Sequence, residues 1–188
     1  MRTRLAPIAL LAVLGIATLS AQADEYTDTV ATFRAAIESR GFFDRAYGYA
    51  VFPTVGKGGI GIGGAYGKGR VYVGGKAVGE TSLTQLTIGF QLGGQAYSQI
   101  IFFEDARAFR EFSSGNFEFG AQASAVAITA GAQASATTAG ASAGASAGEH
   151  DATTTGNWYK GMAVFTVAKG GLMYEASIGG QKFGYTPF

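Results

Sequence analysis

Cysteine is absent from this 188-residue chain, histidine occurs once, and proline occurs only three times. Without cysteine, the chain can form no disulfide framework, no thioether-linked lipid anchor and no thiol nucleophile. The length suits one domain, with enough residues to bury a core that holds without covalent cross-links. We therefore expect the fold to depend on packing alone.

Charge of either sign is scarce and nearly balanced. The chain has 14 Lys and Arg against 13 Asp and Glu, for a formal net charge of +1. A nucleic-acid binder concentrates positive charge on one surface, so this balance argues against nucleic acid as a partner. A membrane surface stays open as a partner, because it needs only a local basic patch.

Long hydrophobic runs are confined to the start of the chain. Two arginines precede an apolar run over residues 5–19, and Ala21-Gln22-Ala23 follows with the small-x-small pattern of a cleavage site. This order predicts a secretory signal peptide over residues 1–23, and thus an exported, periplasmic or envelope-associated protein. We expect a single mature domain over residues 24–188, with 12 basic and 13 acidic side chains once the two leader arginines are removed.

Two segments have a helical period. The first, residues 25–40, places its apolar side chains on one stripe, namely Tyr26, Val30, Phe33 and Ile37. Gly41 is suited to end that helix. Residues 105–114 predict a second helix, with Asp105 at its N-terminal end and Gly115 as its stop.

Between and after these helices the period changes to two, and 30 glycines lie among Val, Ile, Tyr and Phe. Strands are predicted from Tyr47 to Pro53, which should end the run, and over 57–64, 70–73, 86–91, 96–103, 160–167 and 172–178. Residues 139–156 are rich in Gly, Ala and Ser and predict a flexible loop. The fold class is therefore α+β, mainly antiparallel β, as a curved or barrel-like sheet with an N-terminal amphipathic helix and one inserted helix.

No set of residues predicts catalysis, a cofactor or a metal. Gly59-x-Gly61-x-x-Gly64 matches a dinucleotide-binding string, but the sequence after it is unsuited to the helix that this motif requires. The single histidine, His150, lies in the low-complexity loop, which is a poor scaffold for a metal site or a Ser-His-Asp triad. Glu104-Asp105 is read as helix N-terminal charge. We expect a protein that is not an enzyme.

An aromatic and basic cluster is the most informative local feature. It combines apolar side chains with nearby cations: Phe33, Ile37, Phe42 and Phe43 with Arg34, Arg40, Arg45 and Lys57. Such a combination can rest in a bilayer interface and attract anionic headgroups. The competing interpretation is structural, with the stripe packed on the sheet and the charges solvated.

Several blocks of the sequence resemble the SYLF domain family, in its bacterial branch. The most specific block is Val51-Phe52-Pro53-Thr54-Val55-Gly56-Lys57-Gly58-Gly59-Ile60-Gly61. Weaker blocks follow in order at 79–95, 101–103, 109–115, 120–124 and 160–162, so the resemblance spans roughly residues 26–180.

The resemblance implies binding of phospholipid or phosphoinositide-like headgroups at a membrane surface. It makes Lys57, with Gly58 and Gly59 beside it, the headgroup candidate, and it places the N-terminal amphipathic segment at the membrane. Eukaryotic members of the family also bind actin, but actin is not an expected partner of an exported chain.

Two alternatives remain open from the sequence. A small outer-membrane β-barrel would explain the export, the alternation and the terminal Phe188, although Pro187 and the two helices speak against it. An envelope protein-interaction module without a lipid ligand is the other alternative.

Overall fold

A single curled sheet dominates the protein. The computed structural model describes residues 25–60, 62–88, 95–120, 127–129, 158–169 and 180–188. Eight strands lie in these ranges: β1 Gly48–Ile60, β2 Ile62–Val73, β3 Lys76–Ile88, β4 Gln95–Phe103, β5 Phe117–Glu118, β6 Ala127–Thr129, β7 Met162–Lys169 and β8 Gln181–Pro187. Their order across the sheet is β5-β8-β3-β2-β1-β4-β7-β6, and every pairing is antiparallel except that of β6 with β7. The predicted α+β class is confirmed.

Three helical segments accompany the sheet. Helix α1 covers residues 25–35, α2 is the single turn Ile37–Arg40, and α3 is Ala106–Phe112. At the start of α3, the Asp105 carboxylate accepts a hydrogen bond from the backbone N–H of Ala108 at 2.8 Å. This bond satisfies one of the free N–H groups of the first turn and confirms the predicted N-terminal end.

The predicted helix over residues 25–40 is broken. Ala36 has an extended ψ of 131°, which separates α1 from α2. The buried Ser39 hydroxyl donates to the carbonyl of Phe33 at 2.6 Å and bridges the break. The prediction that Ile37 shares the apolar stripe of Tyr26 and Phe33 is wrong, since the break turns its side chain outward to 74% exposure.

Strand β1 continues through the proline that was predicted to end it. The pairing register shifts between Val51 and Thr54 toward β2, and between Phe52 and Val55 toward β4. Pro53 falls inside this bulge, where the ladder needs no N–H from it. The strand therefore reaches residue 60, and the predicted single strand over 57–64 is in fact the two arms of the β1–β2 hairpin.

Successive side chains of the sheet supply two separate cores. The inner, concave face and α3 form the larger one, including Phe52, Leu83, Ile101, Phe103, Phe112 and Phe183. The outer, convex face and the N-terminal helices form the second, including Tyr26, Phe33, Phe42, Val51, Phe102 and Phe165.

The curl brings distant strands into contact across the concave face. The side-chain amides of Gln99 on β4 and Gln181 on β8 exchange two hydrogen bonds, of 2.9 and 3.1 Å. These strands are separated by three others in the sheet, so a flat sheet could not join them. The sheet is accordingly a half-barrel.

Some predictions concern residues outside the described ranges, and some strands were not predicted. The leader over 1–23, the loop over 139–156 and the strand over 172–178 lie outside the described residues. The last strand, β8, and the first ten residues of β3 were missed by the sequence reading. Both contain many Gly, Lys, Thr and Ser residues, which weaken the apolar alternation on which strand prediction depends.

Candidate functional site

The aromatic side chains predicted to meet lipid divide into buried and partly exposed groups. Phe33 is completely buried where α1 packs on the outer face of the sheet. Phe42 is 2% exposed, and its ring centre lies 5.6 Å from that of Phe102, 4.9 Å from Phe165 and 5.0 Å from Trp158. Both rings are thus core residues and are inaccessible to a membrane in this conformation. For Phe33 and Phe42 the structural interpretation holds, in which these side chains pack on the sheet.

Four predicted residues do reach the surface near the helix break. Arg34, Ile37, Arg40 and Arg45 are all exposed, and we call them the Arg34–Arg45 surface. The Arg34 guanidinium stands 4.1 Å above the centre of the half-buried Phe43 ring. The Arg45 guanidinium stands 4.7 Å above Phe42, and its Nε donates to the carbonyl of Gly41 at 3.0 Å. The rings of Phe42 and Phe43 therefore each carry a cation at the surface.

The charge of this surface is weakly positive. Within the described ranges, none of its three arginines forms an ion pair. Glu38 and Asp44 lie in the same segment and offset two of the three positive charges. Beneath it, burial and then the neighbouring Tyr72 raise the pKa of Tyr49, and Arg34 opposes that shift. The surface can attract anions at short range without creating a strong field.

Lys57, Gly58 and Gly59 lie at the far end of β1 from this surface. Lys57 pairs with Ala65 and therefore shares the concave face with the core. It lies nine residues along the strand from Gly48, a distance of about 30 Å at the usual rise per residue. The structure thus does not unite the predicted lipid residues into one site.

A groove at that same end was not predicted from the sequence. It has a volume of about 730 Å³ and is lined by residues of β1, β2, β3, β5 and β8 together with Gly180. Two of its lining side chains are unusually exposed for their type, Leu86 at 83% and Tyr66 at 52%. The exposure of Leu86 follows from strand alternation. Leu83 faces the core, and a side chain three residues further along a strand faces the opposite side of the sheet.

Two other functional features, a metal site and a membrane-spanning helix, are missing from the described residues. Among them, no three acidic or histidine side chains converge as a metal site, and His150 lies outside the ranges described. No helix in those ranges has the length and hydropathy to cross a membrane.

Comparison with known proteins assigns the family. The model of the Ysc84 (SYLF) family, described as "Las17-binding protein actin regulator", matches residues 84–184. The chain belongs to the Ysc84 (SYLF) family. The resemblance stated from the sequence is thereby confirmed.

One curated relative defines how far the similarity extends. The chain is 29% identical over 143 residues to "Beta cell expansion factor A" of Aeromonas veronii. That alignment covers 75% of this chain and 46% of the relative, so the chain spans about half of the relative's length. The family model begins at residue 84, so its match includes neither the Arg34–Arg45 surface nor Lys57. It does include Leu86 and Lys182 of the groove.

Proposed function

We propose that this protein is a non-enzymatic, peripheral lipid-binding protein of the cell envelope that contacts anionic phospholipid headgroups through the Arg34–Arg45 surface. The observation that carries the proposal is the exposure of Ile37, at 74%, among three arginines without an ion pair in the described ranges. Family membership supports it, because the family is linked to lipid and actin binding in general.

The surface suits the boundary between headgroups and acyl chains. Ile37 projects from the break between α1 and α2, so it can enter the interface without disturbing the core beneath. An arginine can bury its aliphatic stem there while its guanidinium contacts phosphate. Each basic residue near an anionic leaflet contributes about 1 kcal/mol, so the net local charge gives reversible binding rather than anchoring.

Actin is a partner named in the description of the family model. An exported protein, as the predicted signal peptide implies, would not be expected to meet actin, and lipid is therefore the partner that we propose. A host that exports the protein should deliver it shortened by the 23 leader residues, as measured by intact mass.

The proposal is tested by equilibrium binding of the purified protein to vesicles containing phosphatidylglycerol. Ile37→Ser and Arg40→Gln change only exposed side chains and should each weaken binding several-fold. Phe188→Ser and Arg110→Gln are matched controls, because both residues are exposed and lie elsewhere. Phe42→Ala is unsuitable, since it would remove a core residue and cost about 3–5 kcal/mol of stability.

If Ile37→Ser and Arg40→Gln bind as tightly as the two controls, the Arg34–Arg45 surface is not the contact. If the unchanged protein binds to no vesicles of any composition, lipid binding itself is excluded. An envelope protein-interaction module then becomes the better account.

A further inference from the structure

In the groove at the β1–β2 hairpin end, large apolar side chains are exposed to solvent. Leu86 is the most exposed of the large apolar side chains that the structure describes. Leu86 pairs with Gly64 on β2, and Tyr66 pairs with Thr84 on β3. Leu86 and Tyr66 are therefore diagonal neighbours on the convex face, about 7–8 Å apart. Together they form one projecting apolar patch, and such patches often mark interaction sites.

We propose that this groove is a second membrane contact, in which Leu86 and Tyr66 enter the interface of an anionic bilayer. This inference rests on the proposed lipid-binding function and extends it to a surface at the opposite end of β1. The proposed binding partner of the groove is the outer layer of a phospholipid membrane.

The two charged side chains that line the groove, Lys182 and Glu118, offset each other, and Lys68 beside it adds a positive charge. Lys68 and Lys182 lie on the same convex face as Tyr66, since Lys68 pairs with Ser82 and Lys182 with Thr84. Lys182 contacts Glu118 at 3.5 Å, whereas Lys68 has no ion pair among the described residues. Lysines can extend their stems over apolar surface and keep the ammonium at headgroup level.

The floor of the groove permits close approach. Gly56 and Gly64 line it, and a Cβ added at Gly56 would meet no atom within 4 Å. Open glycine backbone beside two projecting apolar side chains leaves room for the end of an acyl chain or a lipid glycerol group. The space is open to solvent rather than enclosed, as a surface that meets a membrane must be.

The size of the apolar contact favours a bilayer over a protein partner. A leucine and a tyrosine together offer on the order of 300 Å² of surface. A stable protein interface buries about 800 Å² on each partner, well above this value. Interfacial membrane binding needs only a few inserted side chains with cations near them.

The first test measures affinity for phosphatidylglycerol vesicles. The double variant Leu86→Ser/Tyr66→Ser should bind roughly tenfold more weakly than the unchanged protein, because two apolar side chains no longer enter the interface. Phe188→Ser, which alters an equally exposed apolar residue elsewhere, should bind as the unchanged protein does. Circular dichroism should show the same fold for all three.

The second test locates the side chain directly. Trp158 is the single tryptophan, so Leu86→Trp in a Trp158→Phe background carries one fluorophore in the groove. Vesicles with brominated acyl chains should quench its emission, and the emission should shift to shorter wavelength on binding. Phe188→Trp in the same background should show neither effect.

The outcomes separate the two proposals. If Ile37→Ser weakens binding while the groove variants bind normally and Leu86→Trp is not quenched, the inference is wrong and the proposed function stands. If the unchanged protein does not bind vesicles, both are wrong. Loss of binding in the groove variant together with quenching of Leu86→Trp would support the second contact.

Discussion

Glycines on the concave face set how tightly the strands of the half-barrel can pack. A Cβ on Gly69 would lie 2.6 Å from the ring of Phe52 and 2.9 Å from a methyl of Thr81. The missing side chain is what allows the buried Phe52 ring to lie so close to the backbone of β2. The glycine content of the chain is therefore structural at such positions, as expected where backbone meets a bulky neighbour.

Gly69→Ala should lower the free energy of unfolding by about 1–3 kcal/mol, because the added methyl forces Phe52 out of its packed position. Urea denaturation monitored by circular dichroism measures the change. Gly58→Ala is the matched control, since its Cβ would meet nothing within 4 Å, and its stability should change by less than about 1 kcal/mol. Equal losses in both variants would contradict this account of Gly69.

Among the described residues, Tyr97 has the pKa that folding changes most. Burial raises its pKa to about 12, and the Gln181 amide, which donates to the phenol oxygen at 3.2 Å, partly opposes the shift. Above pH 10 the unfolded chain loses this proton before the folded protein does. The stabilising contribution is therefore complete below about pH 10 and is lost as the pH rises toward 12.

The free energy of unfolding should thus fall between pH 10 and 12, with Tyr97 contributing a slope of up to about 1.4 kcal/mol per pH unit. Urea denaturation at a series of alkaline pH values measures this slope. Tyr97→Phe should show a shallower slope, since the titrating group is gone. The same slope in both proteins would show that Tyr97 is not responsible.

At the scale of elements, the reciprocal amide pair joins the two sides of the half-barrel. Gln99 and Gln181 are both completely buried. The Gln99 amide bonds to Gln181, and the Gln181 amide bonds both to Gln99 and to the Tyr97 hydroxyl. Removing one partner leaves a buried polar group without compensation, whereas replacing both by apolar residues avoids that cost.

Gln181→Leu alone should destabilise the protein by roughly 1–3 kcal/mol. Gln99→Leu/Gln181→Leu should lose less than the sum of the two single variants, because no orphaned amide remains. The buried Tyr97 hydroxyl loses its donor in Gln181→Leu and in the double variant alike, so this loss does not remove the difference. Thermal unfolding of the four proteins forms the double-mutant cycle. Strict additivity would mean that the two amides act independently.

The sequence predicts elements well where a pattern is local. Helix α3 was found with its N-terminal residue because Asp105 marks its beginning directly, whereas it ends at Phe112, two residues before the predicted end. The bulge at Pro53 was missed, since it depends on register with two neighbouring strands, and no local pattern encodes that pairing. Strand β8 was missed for a similar reason: its inward Gln181 is buried by a partner 82 residues away.

The candidate site was predicted in composition but not in arrangement. The cluster of aromatic and basic residues was recognised, yet periodicity cannot show that Ala36 breaks the helix and reverses the exposure of Ile37. It also cannot show that Phe42 lies beneath Arg45. The groove depends on residues of five strands, so its lining could not be assembled from one-dimensional patterns.

At the scale of the molecule, the sheet has different chemistry on its two faces. The concave face buries aromatic rings and the amide pair, with α3 at one end. The convex face carries α1, the Arg34–Arg45 surface near the start of β1, and the groove near its end. The surfaces proposed to meet lipid are thus both on the convex face, whereas the residues of the concave face stabilise the fold.

Weak net charge sets the expected response to salt. Exposed charges further apart than about 10 Å are screened at 0.1 M salt, so only cations close to headgroups contribute. Binding to anionic membranes should accordingly weaken as salt rises but persist in part, because the apolar contribution of Ile37 is insensitive to salt.

The most direct measurement is co-sedimentation of the unchanged protein with neutral and with phosphatidylglycerol-containing vesicles, at low and at moderate salt. The account predicts pelleting with the anionic vesicles alone at low salt, and partial release at moderate salt. A folded protein that stays in the supernatant with every vesicle composition would contradict the central claim.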